Sequence, residues 1–205
     1  PRTSEDARRA ALAKLQSLMQ QRKVAALLVE AGSSLQYFTG IHWWRSERTT
    51  AALIPAAGGV VVVTPYFEDP SIRETLRVAA EVRPWKEDES PFDLLASALR
   101  NRAPSEGPLA VESTTRFFII DHLTKASGSR RAVVSGDDLV RACRIIKSPA
   151  ELALMQSAND VTIAALKHVH ARVEAGMSSA DVMKLLVAAT EALGGVHEFS
   201  LVLLN

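Results

Sequence analysis

Two strand-sized apolar runs, AALIP at Ala51 to Pro55 and VVVVT at Val60 to Thr64, flank the turn AAGG at Ala56 to Gly59. This is a β-hairpin signal, and it forces part of any sheet to be antiparallel. Upstream, VAALLV at Val24 to Val29 is a third short apolar run. It lacks polar alternation, so it reads as a strand with no solvent-facing side.

Helical signals surround these strands. Thr3 or Ser4 caps a helix running to about Arg22, with an apolar stripe of Ala11, Leu12, Leu15, Leu18 and Met19. Leu35 to Thr50 reads as irregular, broken by Gly40. Asp69-Pro70 opens a helix to about Ala80, and VRPW after it is a short strand. Ser90-Pro91 opens a helix through Leu99, and LAVE at Leu109 to Glu112 is a strand. A helix over Thr115 to Lys125, a strand at Ala132 to Val134 and a helix from Asp137 to about Cys143 complete the series. Strands alternating with helices predict an α/β domain, a mixed sheet covered by helices on both faces.

The pattern changes between Cys143 and Ser148. Ser148, Pro149 and Glu151 supply an N-cap, an N1 proline and a capping-box glutamate. Leu152, Met155, Ala158, Thr162, Ala165, Leu166, Val169 and Val173 line one face of a long helix that Gly176 stops. Ser178 restarts a second helix with Asp181 at N3, and Val182, Leu185, Leu186, Ala189 and Leu193 form its apolar face. Gly194-Gly195 ends it. EFSLVLLN, Glu198 to Asn205, then reads as a strand. So apolar a strand needs partners, and residues 148 to 197 offer none. It either joins the first sheet or pairs with residues beyond 205, and the second reading is favoured because two helices and one strand enclose no core.

The charge balance excludes some functions. Lys plus Arg total 24 and Asp plus Glu total 23, which leaves no basic footprint for nucleic acid. The first residues carry no apolar segment of the signal-peptide kind, and no apolar run approaches a membrane span. The single cysteine, Cys143, cannot form an internal disulfide and reads as a small buried hydrophobe, so the compartment expected is the cytoplasm. HExxH, CxxC and GxSxG are all absent. His168 and His170 stand two apart on a helix and face different ways, His168 beside the apolar stripe and His170 towards solvent. Asp137-Asp138 reads as an acidic helix start.

Aromatic and cationic groups concentrate between Tyr37 and Arg48. Trp43 and Trp44 are adjacent, so both cannot easily enter one core from a strand. Either one of them stands at an interface or pocket wall, or both cover the sheet edge. Arg45 and Arg48 either take a ligand carboxylate through the guanidinium fork or hold Glu47 or Asp69.

The stretch from Arg8 to Pro55, with its Tyr-Phe-Thr-Gly turn, resembles the start of the creatinase, prolidase and aminopeptidase P family of pita-bread proteins. A more specific resemblance is Arg-x-Ile-Lys-Ser-Pro-x-Glu-x-x-x-Met, carried by Arg144, Ile146, Lys147, Ser148, Pro149, Glu151 and Met155. AGMSSADVMKLLVAATEALGG resembles the helix that follows.

This resemblance implies a creatinase-like N-terminal domain over residues 1–145. Residues 146–205 would then be the first helices of an incomplete pita-bread α+β domain. The parent most resembled is an Xaa-Pro dipeptidase, hydrolysing the bond before proline in dipeptides or at peptide N-termini. In family members that are peptidases, two divalent ions (manganese, cobalt or zinc) are held by two aspartates, a histidine and two glutamates. All of these follow the strand that EFSLVLLN resembles, and none matches a residue here. The resemblance therefore implies no catalytic or metal-binding residue in this chain, which is expected to be inactive alone. By the same analogy the first domain borders the cleft and restricts substrate length, often across a homodimer interface. Trp43, Trp44 and Arg45 are the cleft-lining candidates. The implied partners are a proline-containing dipeptide or short peptide and the remaining C-terminal segment of the same domain, with no nucleic acid and no membrane. A creatinase-like amidinohydrolase and a non-enzymatic pita-bread relative share the fold and stay open as alternatives.

Overall fold

A computed structural model describes residues 5–103, 107–128 and 131–204. The expected caps Thr3 and Ser4 lie outside these residues, as does Asn205. The chain divides into two compact units, one ending at Ile146 and the other starting at Lys147.

The first unit holds six strands: β1 Ala26–Glu30, β2 Ala51–Pro55, β3 Val60–Pro65, β4 Ala80–Trp85, β5 Leu109–Val111 and β6 Val133–Ser135. Their order is β4-β3-β2-β1-β5-β6. The hairpin is present: β2 pairs antiparallel with β3, and it also pairs antiparallel with β1. The pairs β1 with β5, β5 with β6 and β3 with β4 are parallel. So β2 alone runs against the rest, and five strands end on the edge where β2 begins.

Every residue of β1, β2 and β3 is buried. The pleat sends successive side chains to opposite faces. Leu27, Val29, Ile54 and Val62 meet Leu15 and Met19 of α1 (Glu5–Gln21), Phe38 of α2 (Ser33–Thr39), Ile72 of α3 (Asp69–Thr75) and Leu139 of α6 (Asp137–Arg144). Leu28, Leu53, Val61 and Val63 meet Leu95 and Leu99 of α4 (Pro91–Arg102) and Ile119 and Leu123 of α5 (Phe117–Ala126). The helices on both faces explain why these strands carry no polar alternation. Each such side chain contributes about 1.5–3 kcal/mol by leaving water. Cys143 is buried in the first of these layers, and burial pushes its thiol above the ordinary range.

The structure departs from the sequence reading at several elements. Ser33–Thr39 is helical, not irregular: Ser34, Leu35, Phe38 and Thr39 are buried at helical spacing. Gly40 ends that helix with φ 86°, its N–H donating to the Gln36 carbonyl. Its neighbour also demands glycine, since a Cβ there would lie 2.7 Å from the Arg77 Cβ. Helix α3 stops at Thr75, because Leu76 takes an extended ψ of 130°, and β4 starts at Ala80. Glu198 to Leu204 takes no strand conformation among the described residues.

The second unit holds α7 (Pro149–His170) and α8 (Ser179–Ala192). Both open with a complete capping box, Ser148 with Glu151 and Ser178 with Asp181. Helix α7 ends at His170, before Val173, and Gly176 takes φ 92° in the connection. Ala165 and Val169 pack against Val182 and Ala189. Leu152, Met155 and Leu166 remain more than half exposed. His168 and His170 are both exposed, so His168 is not sheltered by the stripe.

Candidate functional site

Polar side chains gather at the edge where the five parallel strands end. β1 closes on Glu30, β5 leads into Glu112, and β3 leads into a 3-10 turn at Tyr66–Glu68. The loop 41–50 returns along this edge to begin β2.

Trp43 and Trp44 point opposite ways. Trp43 packs against the first core layer, and its Nε1 donates to Glu68 Oε2 at 2.9 Å. Thr50 Oγ1 donates to the same oxygen at 3.1 Å and lies 3.1 Å from Thr64 Oγ1. Trp44 is 67% exposed, with the His42 ring 4.9 Å from its own. One tryptophan therefore pins the loop while the other faces solvent.

The two arginines of this loop also diverge. Arg48 is held by Glu47 and, at 2.8 Å, by Glu87, whose hydrogen bond raises the guanidinium's affinity for its proton. Asp69 is not its partner; that carboxylate pairs with Arg73 inside α3. Arg45 donates from Nε to the Ala31 carbonyl and from Nη2 to Thr114 Oγ1, both at 3.2 Å. Its only carboxylate neighbour among the described residues is Glu30, at 3.7 Å.

Glu30 is a residue that the sequence reading missed. Its side chain is 1% exposed, yet its carboxylate accepts from Arg116 Nε at 2.5 Å and from the Arg116 backbone N–H at 3.3 Å. A buried carboxylate persists only when paired. The available signal was a lone charge closing the apolar run ALLVE. Glu112 is also engaged: it accepts from Ser34 Oγ at 2.6 Å, and Ser34 accepts from Arg144 Nη1 at 3.1 Å. Asp137 does open α6 as expected, and its carboxylate accepts from the Ser113 backbone N–H, which holds the group below the usual carboxylate range.

Among the described residues no three His, Cys, Asp or Glu side chains converge as metal ligands. At the opposite edge a cavity of about 680 Å³ is walled by Val24, Ala25, Ala103 and Pro108. Two of its polar side chains are already engaged, Arg102 with Glu81 and Gln20 with the Ala56 carbonyl. No helix among the described residues is long and apolar enough to cross a membrane.

A family model for the creatinase/prolidase N-terminal domain matches residues 12–146. An uncharacterized peptidase of Schizosaccharomyces pombe is 28% identical over 189 residues, which are 84% of this chain and 40% of that protein. The crystal structure of dipeptidase PepE from Mycobacterium ulcerans aligns over 94% of this chain and 51% of its own, at TM-score 0.74 and 28% identity. That coverage runs past Ile146 into the second unit. Recombinant prolidase from Thermococcus sibiricus superposes at TM-score 0.80 over 90% of this chain and 49% of its own; at 17% identity this shows a shared fold alone. The chain thus spans about half, or less, of the length of these relatives.

Proposed function

This chain belongs to the creatinase/prolidase N-terminal domain family, and from that premise we propose that it is the amino-terminal half of a metal-dependent Xaa-Pro peptidase. The substrate is a proline-containing dipeptide or the amino terminus of a short peptide. The observation that carries this reading is the 28% identity to a dipeptidase across both units. The run from Arg144 to Met155, which resembles the family's entry to its catalytic domain, supports it.

In this reading the chain's own residues bind and restrict substrate. Trp43, locked onto Glu68, fixes the loop, and Trp44 and Arg45 face the cleft. Arg48 is already committed to two carboxylates, so Arg45 is the arginine left to take the substrate's carboxylate. In a cytoplasmic homodimer this edge would border a cleft. Two divalent ions, manganese, cobalt or zinc, belong to the full-length protein. Among the described residues no three His, Cys, Asp or Glu side chains converge to fit them. Helices α7 and α8 are the first layer of the pita-bread domain, and their apolar faces await its remainder.

The test is hydrolysis of alanyl-proline against alanyl-alanine, by the full-length protein stripped with chelator and then given manganese or cobalt. Metal-dependent cleavage of the proline dipeptide is expected from the full-length protein and none from the 205-residue chain. Turnover by the short chain, or equal rates on both dipeptides, contradicts the reading.

A further inference from the structure

We propose that Glu30 is a positioning residue, a buried strut that holds the Arg45 guanidinium at the cleft edge so that it can receive the carboxylate of a peptide substrate. This rests on the reading of Arg45 as the substrate-facing arginine.

The geometry is a bolt through two loops. Glu30 ends β1, and its side chain is shut away from water. Arg116, in the loop between β5 and α5, closes on Oε1 through Nε and Nη2, both at 2.5 Å. The same Arg116 donates from Nη1 to the Ser46 carbonyl, in the other loop. Its guanidinium lies 4.8 Å from the centre of the Phe118 ring, which fixes its plane. Arg45 stands 3.7 Å from Oε2 and hydrogen-bonds Ala31 on one side and Thr114 on the other. Glu30 therefore ties loop 41–50 to loop 112–116 through two arginines.

The bolt also orients Arg45. Nε and Nη2 are occupied, while Nη1 has no hydrogen-bond partner among the described residues, and the side chain is 41% exposed. One edge of the fork is spent on the scaffold and the remaining donor is offered outward. A carboxylate suits that donor because hydrogen bonds between ionised partners are the strong ones. The 3.7 Å separation is a long-range attraction rather than a closed pair, so Glu30 steers Arg45 without saturating it.

Two effects of Glu30 have opposite signs, and that makes the idea testable. As a strut it improves substrate binding by fixing Arg45. As a mere counter-charge it weakens binding by reducing the local positive potential. Glu30→Gln keeps the shape and removes the charge. In the 205-residue chain, amide exchange over 43–46 and 113–116 should accelerate about tenfold in this variant. In the full-length protein, KM for alanyl-proline should rise about fivefold with kcat within about twofold. KM for the C-terminal amide of the same dipeptide should not move, which a general loss of stability would not reproduce. Thr114→Val leaves the carboxylate alone and should give the same pattern at about half the size. Unchanged exchange in both variants, or a fall in KM for Glu30→Gln, overturns the strut. Arg45→Ala separates the underlying reading: unchanged KM on both substrates sinks Arg45 as the carboxylate receiver, while the exchange data still decide Glu30.

Discussion

Both units carry apolar segments and make opposite use of them. In the first, β1, β2 and β3 bury every residue between helices on both faces. In the second, α7 runs for 22 residues and buries only Ala165 and Val169. Leu152, Met155 and Leu166 stand more than half exposed on it. An apolar stripe is a demand for a partner, and stability follows only where a partner meets it. A long helix held mainly by its capping box and one neighbour differs physically from a short strand held by both faces and both edges.

The largest test of that contrast is a pair of truncations in the 205-residue chain. Leu27→Ala empties a site that is fully buried and should cost about 3–4 kcal/mol in urea unfolding. Leu166→Ala removes the same atoms from a site 51% exposed and should stay within about 0.5 kcal/mol. Equal costs would break the comparison.

A smaller effect sharpens it. If α7 leans on its cap, Ser148→Ala should cost the second unit about 1 kcal/mol, read as faster amide exchange in the first turn of α7. The first unit should not respond. A response spread over both units would mean that they unfold together.

The smallest effect concerns charge on the first unit. Arg83 and Arg102 hydrogen-bond Glu81 and hold its carboxyl down to about 2. A depressed carboxyl contributes stability that is complete above its ordinary value, about 4.5, and fades as pH falls towards 2. Glu81 is 39% exposed, so water screens most of this and Glu81→Gln should cost less than about 1 kcal/mol at pH 7. The difference between variant and parent should shrink as pH falls from about 4.5 and vanish near 2. A difference that grows on acidification contradicts the assignment.

What was legible in the sequence follows the same logic. The hairpin at Ala56 to Gly59 and the alternation of strands and helices were plain, because turn chemistry and continuous burial leave local marks. Helix α2 was not: Leu35 to Thr50 read as irregular, because a seven-residue helix is too short to show a clear stripe before Phe38 and Thr39 meet the core. The run from Glu198 to Leu204 shows the other side of this: its pattern suits a strand, but a strand is made by a partner, and it forms none among the described residues. At the polar edge, Arg45 and Arg48 differ by three positions and look alike in sequence. Arg48 takes its sequence neighbour Glu47 and also Glu87, 39 residues on, while Arg45 takes Glu30, 15 residues back, so the distant partners are visible only in the fold. Glu30 follows the run Val24 to Val29 and was not singled out in the sequence, yet it is the buried centre of an ion cluster.

We propose the second unit as one layer of a larger domain, and amide exchange measured on both the 205-residue chain and the full-length protein tests this most directly. In the full-length protein, residues 149–170 and 196–204 should gain about a thousandfold protection, while residues 26–65 stay within about threefold of the short chain. Equal exchange over 149–204 in the two proteins would contradict the account.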